Sequence, residues 1–306
     1  MAGRIFSLAE LTSPELDELK RETTIGVAVI SPLEVHGPHL PLGTDVFVAE
    51  EVRERAVRRC REARPELDFL YLPSYFLGSD TIPTSPAFDS RAVNLALLGA
   101  GRFLASRGFR YLWVFDNHGG PRHQVAVAKA VRRLWRERSF CLVAPFLSFY
   151  RRMVEDDPRL LEEIGAVPGT CGDAQDCHAG LNETSLMLAA RPEAVRPAWS
   201  RLPRVSIKEQ RWPSLAMGTL AAAAERLGAP GLGADLRYLG LMLNWTTERR
   251  PSTYIGEPRA ASAEAGERML DAFTGEALAR LEDCLRGEPP FFQPLAWSLR
   301  FLERSR

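Results

Sequence analysis

Residues 31–45 read SPLEVHGPHLPLGTD and set Glu34, His36, His39 and Asp45 among two glycines and three prolines after the opening serine. The chain has five histidines, and the other three, His118, His123 and His178, lie in DNHGGPRH (116–123) and DCHAGLNETSLMLAA (176–190), the second of which also carries Glu183. Imidazole and carboxylate are the donor set expected for Zn²⁺, Mn²⁺ or Fe²⁺. The five cysteines, Cys60, Cys141, Cys171, Cys177 and Cys284, are scattered without CxxC spacing. Neither a thiolate-rich structural zinc nor a disulfide framework is therefore expected. Two neighbouring dications need a bridging carboxylate, and the compact Asp45 suits that role. Such a pair would lower the pKa of a shared water and hold a hydroxide at neutral pH.

These residues need elements that bring them together. TTIGVAVIS (23–31), DFLYLPSYF (68–76), RYLWVFDN (110–117) and FCLVAPFL (140–147) read as strands buried on both faces. Between them, 46–60, 90–108 and 125–138 carry apolar residues at helical spacing. The alternation implies βαβ units and a three-layer α/β/α sandwich with a mainly parallel central sheet. Ligands of such sheets bind beyond the carboxyl ends of the strands. Glu34 and His36 follow the first of these strands, and Asn117 and His118 follow the third. Being two apart, Glu34 and His36 project to the same side of an extended backbone. His39 lies beyond a Gly-Pro turn, and Asp45 starts the next helix.

Residues 1–306 are expected to form one elaborated domain with an irregular stretch near 191–250. Within it an Ala-rich helix precedes GLGAD (231–235), which reads as a glycine-rich turn because it lacks the lysine and full glycine fingerprint of a phosphate loop. A last helix is expected over 262–285.

Composition narrows the partners. Apolar residues make up 45% and charged residues 25%, and 39 Lys+Arg balance 39 Asp+Glu. No global field attracts nucleic acid or an anionic membrane, which leaves a small-molecule substrate. The Arg-rich helix faces read as solvated or subunit-facing surface. No signal peptide and no segment of the ~20 apolar residues that span a membrane is evident, so the expected location is the cytoplasm.

Four blocks in order, PLEVHGPHLPLGTD, DNHGGPR (116–122), CHAGLNETS (177–185) and YIGEPRAASAEAG (254–266), closely resemble the creatininase (creatinine amidohydrolase) family of metal-dependent amide hydrolases. The resemblance implies an α/β/α sandwich, a homo-oligomer (commonly a hexamer) and one or two divalent metals (Zn, Mn or Fe). Carried over by motif, it implies Glu34, Asp45 and His118 on one metal, and His36 with bridging Asp45 on the second. Creatinine-cleaving members supply a carboxylate where this chain has Gly120, and Glu183 is expected to replace it. They also have tryptophans around the pocket, absent from GTCGDAQDC (169–177), and many relatives carry a histidine and a Pro-Gly-Thr turn where this chain reads GSDTIPTSPAFDS (78–90). A substrate other than creatinine is expected.

The resulting expectation is an amidohydrolase that cleaves a cyclic or formyl C–N bond of a small molecule through a metal-bound hydroxide. His178 would pass a proton to the leaving nitrogen, as an imidazole can near neutrality, and Glu183 would act with it. His39, Asn117, Gly119, Asp176 and Cys177 are expected around the ligands, orienting them or touching substrate. Plainer readings stand beside these: Glu183 as a helix cap, Cys177 as a packing residue, and His39 and His123 as hydrogen-bonded core histidines. Two other functions stay open, a metallohydrolase of another ester class and a non-catalytic metabolite-binding relative. A phosphoester enzyme would need cations in its pocket, and Arg122 is the only basic residue next to a motif.

Overall fold

The computed structural model describes residues 3–172, 175–207 and 212–301. Positions 208–211, within the stretch expected to be irregular, and 1–2, 173–174 and 302–306 lie outside the described residues.

Six strands, β1 (Ile5–Ser7), β2 (Thr24–Ser31), β3 (Asp68–Tyr71), β4 (Tyr75–Phe76), β5 (Tyr111–Phe115) and β6 (Cys141–Val143), pair in parallel in the order β1-β3-β2-β5-β6, with β4 joined to the end of β2. The helices are α1 (Ser13–Asp17), α2 (Thr44–Ala63), α3 (Ser90–Ser106), α4 (Pro121–Arg138), α5 (Phe146–Val154), α6 (Pro158–Ile164), α7 (Leu181–Ala190), α8 (Trp212–Arg226), α9 (Pro230–Thr246) and α10 (Ala263–Leu285).

The layering follows from side-chain alternation. Along β2, Ile25, Val27 and Val29 face a core built with α2, α5, α6, α7 and α10, while Ala28 and Ile30 face a second core built with α1, α3 and α4. On β5, Trp113 and Phe115 enter the first core and Leu112 and Val114 the second. A strand clothed on both faces must be apolar throughout, and all eight residues of β2 are buried. Each fully buried Val, Ile or Phe contributes about 1.5–3 kcal/mol relative to exposure.

Helix α2 leaves β2 on one face of the sheet and α4 leaves the adjacent β5 on the other. Connections diverging from neighbouring strands open a crevice at their carboxyl ends. The histidine- and carboxylate-bearing loops begin there.

Three local readings differ from the sequence expectation. The run 140–147 is not one strand, because Pro145 ends it and caps α5. The run 68–76 breaks at Pro73, and its second half pairs with Ile30 and Ser31 instead of continuing β3. GLGAD is not a turn: Pro230 occupies the first position of α9 and the helix runs through both glycines, packed on α8. Glycine inside a helix costs only about 1 kcal/mol, which packing easily offsets. The stretch 191–250 thus contains two long helices. The edge strand β1, short and only partly buried, was not anticipated at all.

Candidate metal centre

Ser31, the last residue of β2, bonds across to Asp116, just past the end of β5, with Oγ donating to Oδ1 at 2.6 Å. This link ties the two strand ends that carry the candidate ligands. From β2 the chain presents Glu34 and His36; Asp45 projects from the first turn of α2; His118 follows β5; and Glu183 lies in the first turn of α7. Glu34, His36, Asp45, His118 and His178 are all buried.

Three sets of possible ligands form, each with its donor atoms within 4.8 Å of one another: Glu34, Asp45 and His118; His36, Asp45 and Glu183; and Glu34, His36 and His178. Asp45 joins the first two. Its Oδ2 lies 3.5 Å from His118 Nδ1 and its Oδ1 lies 3.5 Å from His36 Nε2. Glu34 Oε2 is 3.1 Å from His118 Nδ1, and Glu183 Oε2 is 3.6 Å from His36 Nε2.

Hydrogen bonds at the far side of each ring fix which nitrogen faces this cluster. His36 Nδ1 donates to the Glu34 carbonyl at 2.9 Å, His118 Nε2 to the Ser79 carbonyl at 2.8 Å, and His178 Nε2 to the Val35 carbonyl at 2.7 Å. A neutral imidazole has one N–H, so His36 Nε2, His118 Nδ1 and His178 Nδ1 turn lone pairs toward the carboxylates. His36 Nε2 and Asp45 Oδ2 are buried without any hydrogen-bond partner. Acceptors facing acceptors out of water need a cation or protons between them.

The charges respond accordingly. Burial alone would push His36 and His118 down, yet the carboxylates of Asp45 and Glu183, and of Glu34 and Asp45, hold them well above the ordinary imidazole range. Burial likewise opposes ionisation of Glu34 and Asp45, and the neighbouring imidazoles overcome it and pull both down. A divalent cation would supply the same neutralisation while displacing those protons. The site therefore fits one or two such ions on its donor chemistry.

The residues expected around the ligands divide. Asn117 Nδ2 donates to Asp45 Oδ1 at 3.3 Å, and Gly119 and half-buried Cys177 line the adjoining cavity of about 440 Å³. His39 bonds Thr184 Oγ1 at 2.8 Å and belongs to none of the three donor sets. Asp176 belongs to none of the three donor sets: its carboxylate accepts the backbone N–H groups of Leu181 and Asn182 at the start of α7, the helix that carries Glu183. The helix needs donors satisfied there, and Asp176 is the residue that satisfies them. Glu183 Oε2 faces His36 and also accepts from the Ala179 N–H at the start of α7.

Gly120 explains the missing carboxylate. A Cβ built there would fall 2.4 Å from His118 Nε2 and 2.8 Å from the Ser79 carbonyl. The 78–90 segment occupies that space and fixes the cluster, with Ser79 holding His118 and the Ile82 N–H donating to Glu34 Oε1 at 2.6 Å. The fourth sequence block is placed by backbone pairing, as Ile255 N–H donates to the His178 carbonyl at 2.7 Å.

Sequence reasoning missed three contributors. Asp116 accepts from Ser31, from the His118 N–H at 3.0 Å, from His123 Nε2 at 3.0 Å and from Gln124 Nε2 at 3.1 Å. A carboxylate ending an apolar strand, YLWVFD, was the available signal. Tyr238 donates to the Gly119 carbonyl at 2.7 Å and meets Tyr150 Oη at 3.1 Å, and Trp245 sits 5.4 Å from the His178 ring. Tyr238 and Trp245 come from α9, far along the chain, and no motif marks them.

The family model for creatininase, described as creatinine amidohydrolase, matches residues 9–281, so the chain belongs to the creatininase family of hydrolases. Curated relatives named mycofactocin precursor peptide peptidase include that of Mycobacterium tuberculosis (strain CDC 1551 / Oshkosh), 24% identical over 285 residues covering 91% of this chain and 92% of the relative. Another, from Mycolicibacterium smegmatis (strain ATCC 700084 / mc(2)155), is 25% identical over 245 residues, covering 79% and 77%. A solved structure described as "Creatininase Mn" superposes with a TM-score of 0.59 at 19% identity, covering 94% of this chain and 100% of that one. The resemblance in fold agrees with the parallel sheet clothed in helices. Among the described residues no helix is long and apolar enough to cross a membrane.

Proposed function

We propose that the chain is a metal-dependent hydrolase of C–N amide bonds. The observation that carries this reading is the buried His36 Nε2 and Asp45 Oδ2, unpartnered and surrounded by further lone pairs. Glu34, Asp45 and His118 would hold one divalent ion, and His36, Asp45 and Glu183 a second, with Asp45 between them. Zn²⁺, Mn²⁺ and Fe²⁺ all suit these donors. When bound, such ions supply Lewis acidity that polarises a carbonyl and acidifies water.

The chain's own residues do the rest. His178 holds Nδ1 3.9 Å from Glu183 Oε2 while its Nε2–H stays on the Val35 carbonyl. It can therefore take a proton at Nδ1 from attacking water and return it to the leaving nitrogen, the Val35 carbonyl stabilising the doubly protonated ring. Trp245, fixed by its own Nε1–H on the Ser252 carbonyl at 3.0 Å, restrains the ring. Ile82, Met242 and Leu243 wall the cavity with apolar groups that displace water.

The substrate expected from the sequence is a small cyclic or formyl amide. A peptide-like amide is the second reading, favoured by the curated relatives, whose names record a peptidase acting on a precursor peptide. Both use the same attack on a carbonyl. The reading keeps residues 1–306 as one domain and expects a homo-oligomer in the cytoplasm.

The test is metal analysis of protein purified without added metal, followed by assays on cyclic amides, formyl amides, peptides and aryl phosphates. Asp45→Ala should lose both metal and turnover. A D45A protein with full metal content and activity would sink the bridging assignment, and cleavage of phosphates alone would sink the amide reading.

A further inference from the structure

The cavity beside the donor cluster does not stand alone. It adjoins a smaller pocket of about 200 Å³ lined by Val125, Leu239, Ala296 and Leu299, with Arg122 and Arg300 at its edge. Pro121, Arg122 and Leu239 line both spaces, so the two pockets are neighbours across these residues. A molecule whose amide lies at the cluster has the second pocket next to it.

The polar side of that pocket is specific. The Arg122 backbone N–H donates to Asp80 Oδ2 at 2.6 Å, and its Nε–H donates to Asp80 Oδ1. Asp80 therefore orients the guanidinium through one edge. The other edge, with both terminal nitrogens, has no partner among the described residues, and the side chain is 67% exposed. Those N–H groups form a planar fork that matches a carboxylate. Arg300, stacked on Trp297 and bonded to its carbonyl at 2.9 Å, adds a second cation. Among the described residues that line this smaller pocket, Arg122 and Arg300 are the charged ones, and Asp80 pairs with the first.

An apolar pocket with a cationic rim suits an apolar residue that ends in an anion. We propose that this pocket is a substrate subsite for an apolar residue carrying a free carboxylate on the amine side of the scissile bond, with Arg122 gripping the carboxylate and Arg300 assisting. The inference rests on the amide-hydrolase reading. Cleavage would break the C–N bond, add the hydroxyl of water to the acyl carbon and a proton to the nitrogen, and release the carboxylate-bearing residue as an amine. The substrate class becomes C-terminal apolar residues of peptides or N-acyl amino acids.

The experiment compares kcat/KM of the metal-loaded protein on N-benzoylglycyl-L-leucine and on its C-terminal carboxamide. The carboxylate should be preferred by about tenfold, the scale of a charged hydrogen-bonded contact at a partly exposed site. In Arg122→Met the ratio should fall close to one, and in Arg300→Met it should fall part of the way. Being a ratio, it does not depend on how much of a variant folds. A wild-type ratio near one, or a ratio unchanged in Arg122→Met, overturns the subsite. If the wild type cleaves neither compound, the peptide-like amide reading fails separately, and the subsite is judged by calorimetry with N-acetyl-L-leucine and N-acetyl-L-leucinamide. Tighter, Arg122-dependent binding of the carboxylate supports it, and equal binding overturns it.

Discussion

Glu183 Oε2 lies 3.6 Å from His36 Nε2 while accepting the Ala179 N–H, so one carboxylate oxygen serves both the cluster and the start of α7. The two roles separate in Glu183→Gln, because an amide oxygen still accepts the backbone N–H but brings no charge. The variant should keep its fold, losing at most about 1 kcal/mol of helix-terminus electrostatics. It should lose one equivalent of metal and at least about tenfold in activity, on the scale of ligand-shell substitutions. Metal content read beside thermal unfolding decides it: full metal occupancy would reduce Glu183 to a cap.

The legible part of this molecule was what local pattern encodes. β2 and β5 were visible as continuous apolar runs because both of their faces are covered, and Glu34, His36, Asp45 and His118 were visible because polar groups following such strands have no packing purpose. What stayed hidden depends on contacts between distant segments. Asp176 and Glu183 look alike in DCHAGLNE, and only the fold turns one toward backbone amides and the other toward His36. Tyr238 reaches Gly119 across more than a hundred residues from a helix whose first turn, GLGAD, reads as a loop. The role of 78–90 in holding His118 and Glu34 comes from backbone groups, which residue types do not reveal.

Restoring a side chain at position 120 should harm the protein rather than return it to the carboxylate-bearing pattern. The Cβ of Gly120→Ala would collide with the imidazole of His118 and the backbone of Ser79, neither of which is a loose side-chain end. Overpacking of this kind costs about 1–3 kcal/mol. Thermal unfolding should show that loss, and metal affinity should fall as His118 moves. Gly120→Ala with wild-type stability and metal binding would mean that the 78–90 segment yields easily.

Asp116 receives hydrogen bonds from four donors and offers two carboxylate oxygens to them. In Asp116→Asn one oxygen becomes an NH₂ group pointing at donors, and His123 can relieve only part of the mismatch by moving its proton to the buried, unpartnered Nδ1. A buried unsatisfied donor costs about 1–3 kcal/mol. The variant should melt earlier and bind metal more weakly, since the His118 N–H and the Ser31 link both depend on this carboxylate. Unchanged melting would show that the network rearranges without loss.

His39 gives a pH dependence with a definite sign. Burial, and then the positive field of His36, push its pKa down to about 4, and its Nε2 is already committed to Thr184 Oγ1. In the unfolded chain the same imidazole titrates at about 6.5. Between these values the unfolded chain binds a proton that the folded one refuses, so acid favours unfolding. The stabilisation from keeping His39 neutral is complete above about pH 6.5, declines as pH falls, and is gone once pH passes below the folded value near 4. His39→Gln removes the titrating ring while retaining a polar group beside Thr184, and should flatten this part of the acid limb. Melting temperatures of both proteins between pH 4 and 7, taken after chelation so that metal loss does not contribute, measure the difference. The carboxylates of Glu34 and Asp45 add acid sensitivity of their own, but equally in both proteins. Parallel acid limbs would show that His39 accepts a proton in the fold as readily as in the unfolded chain.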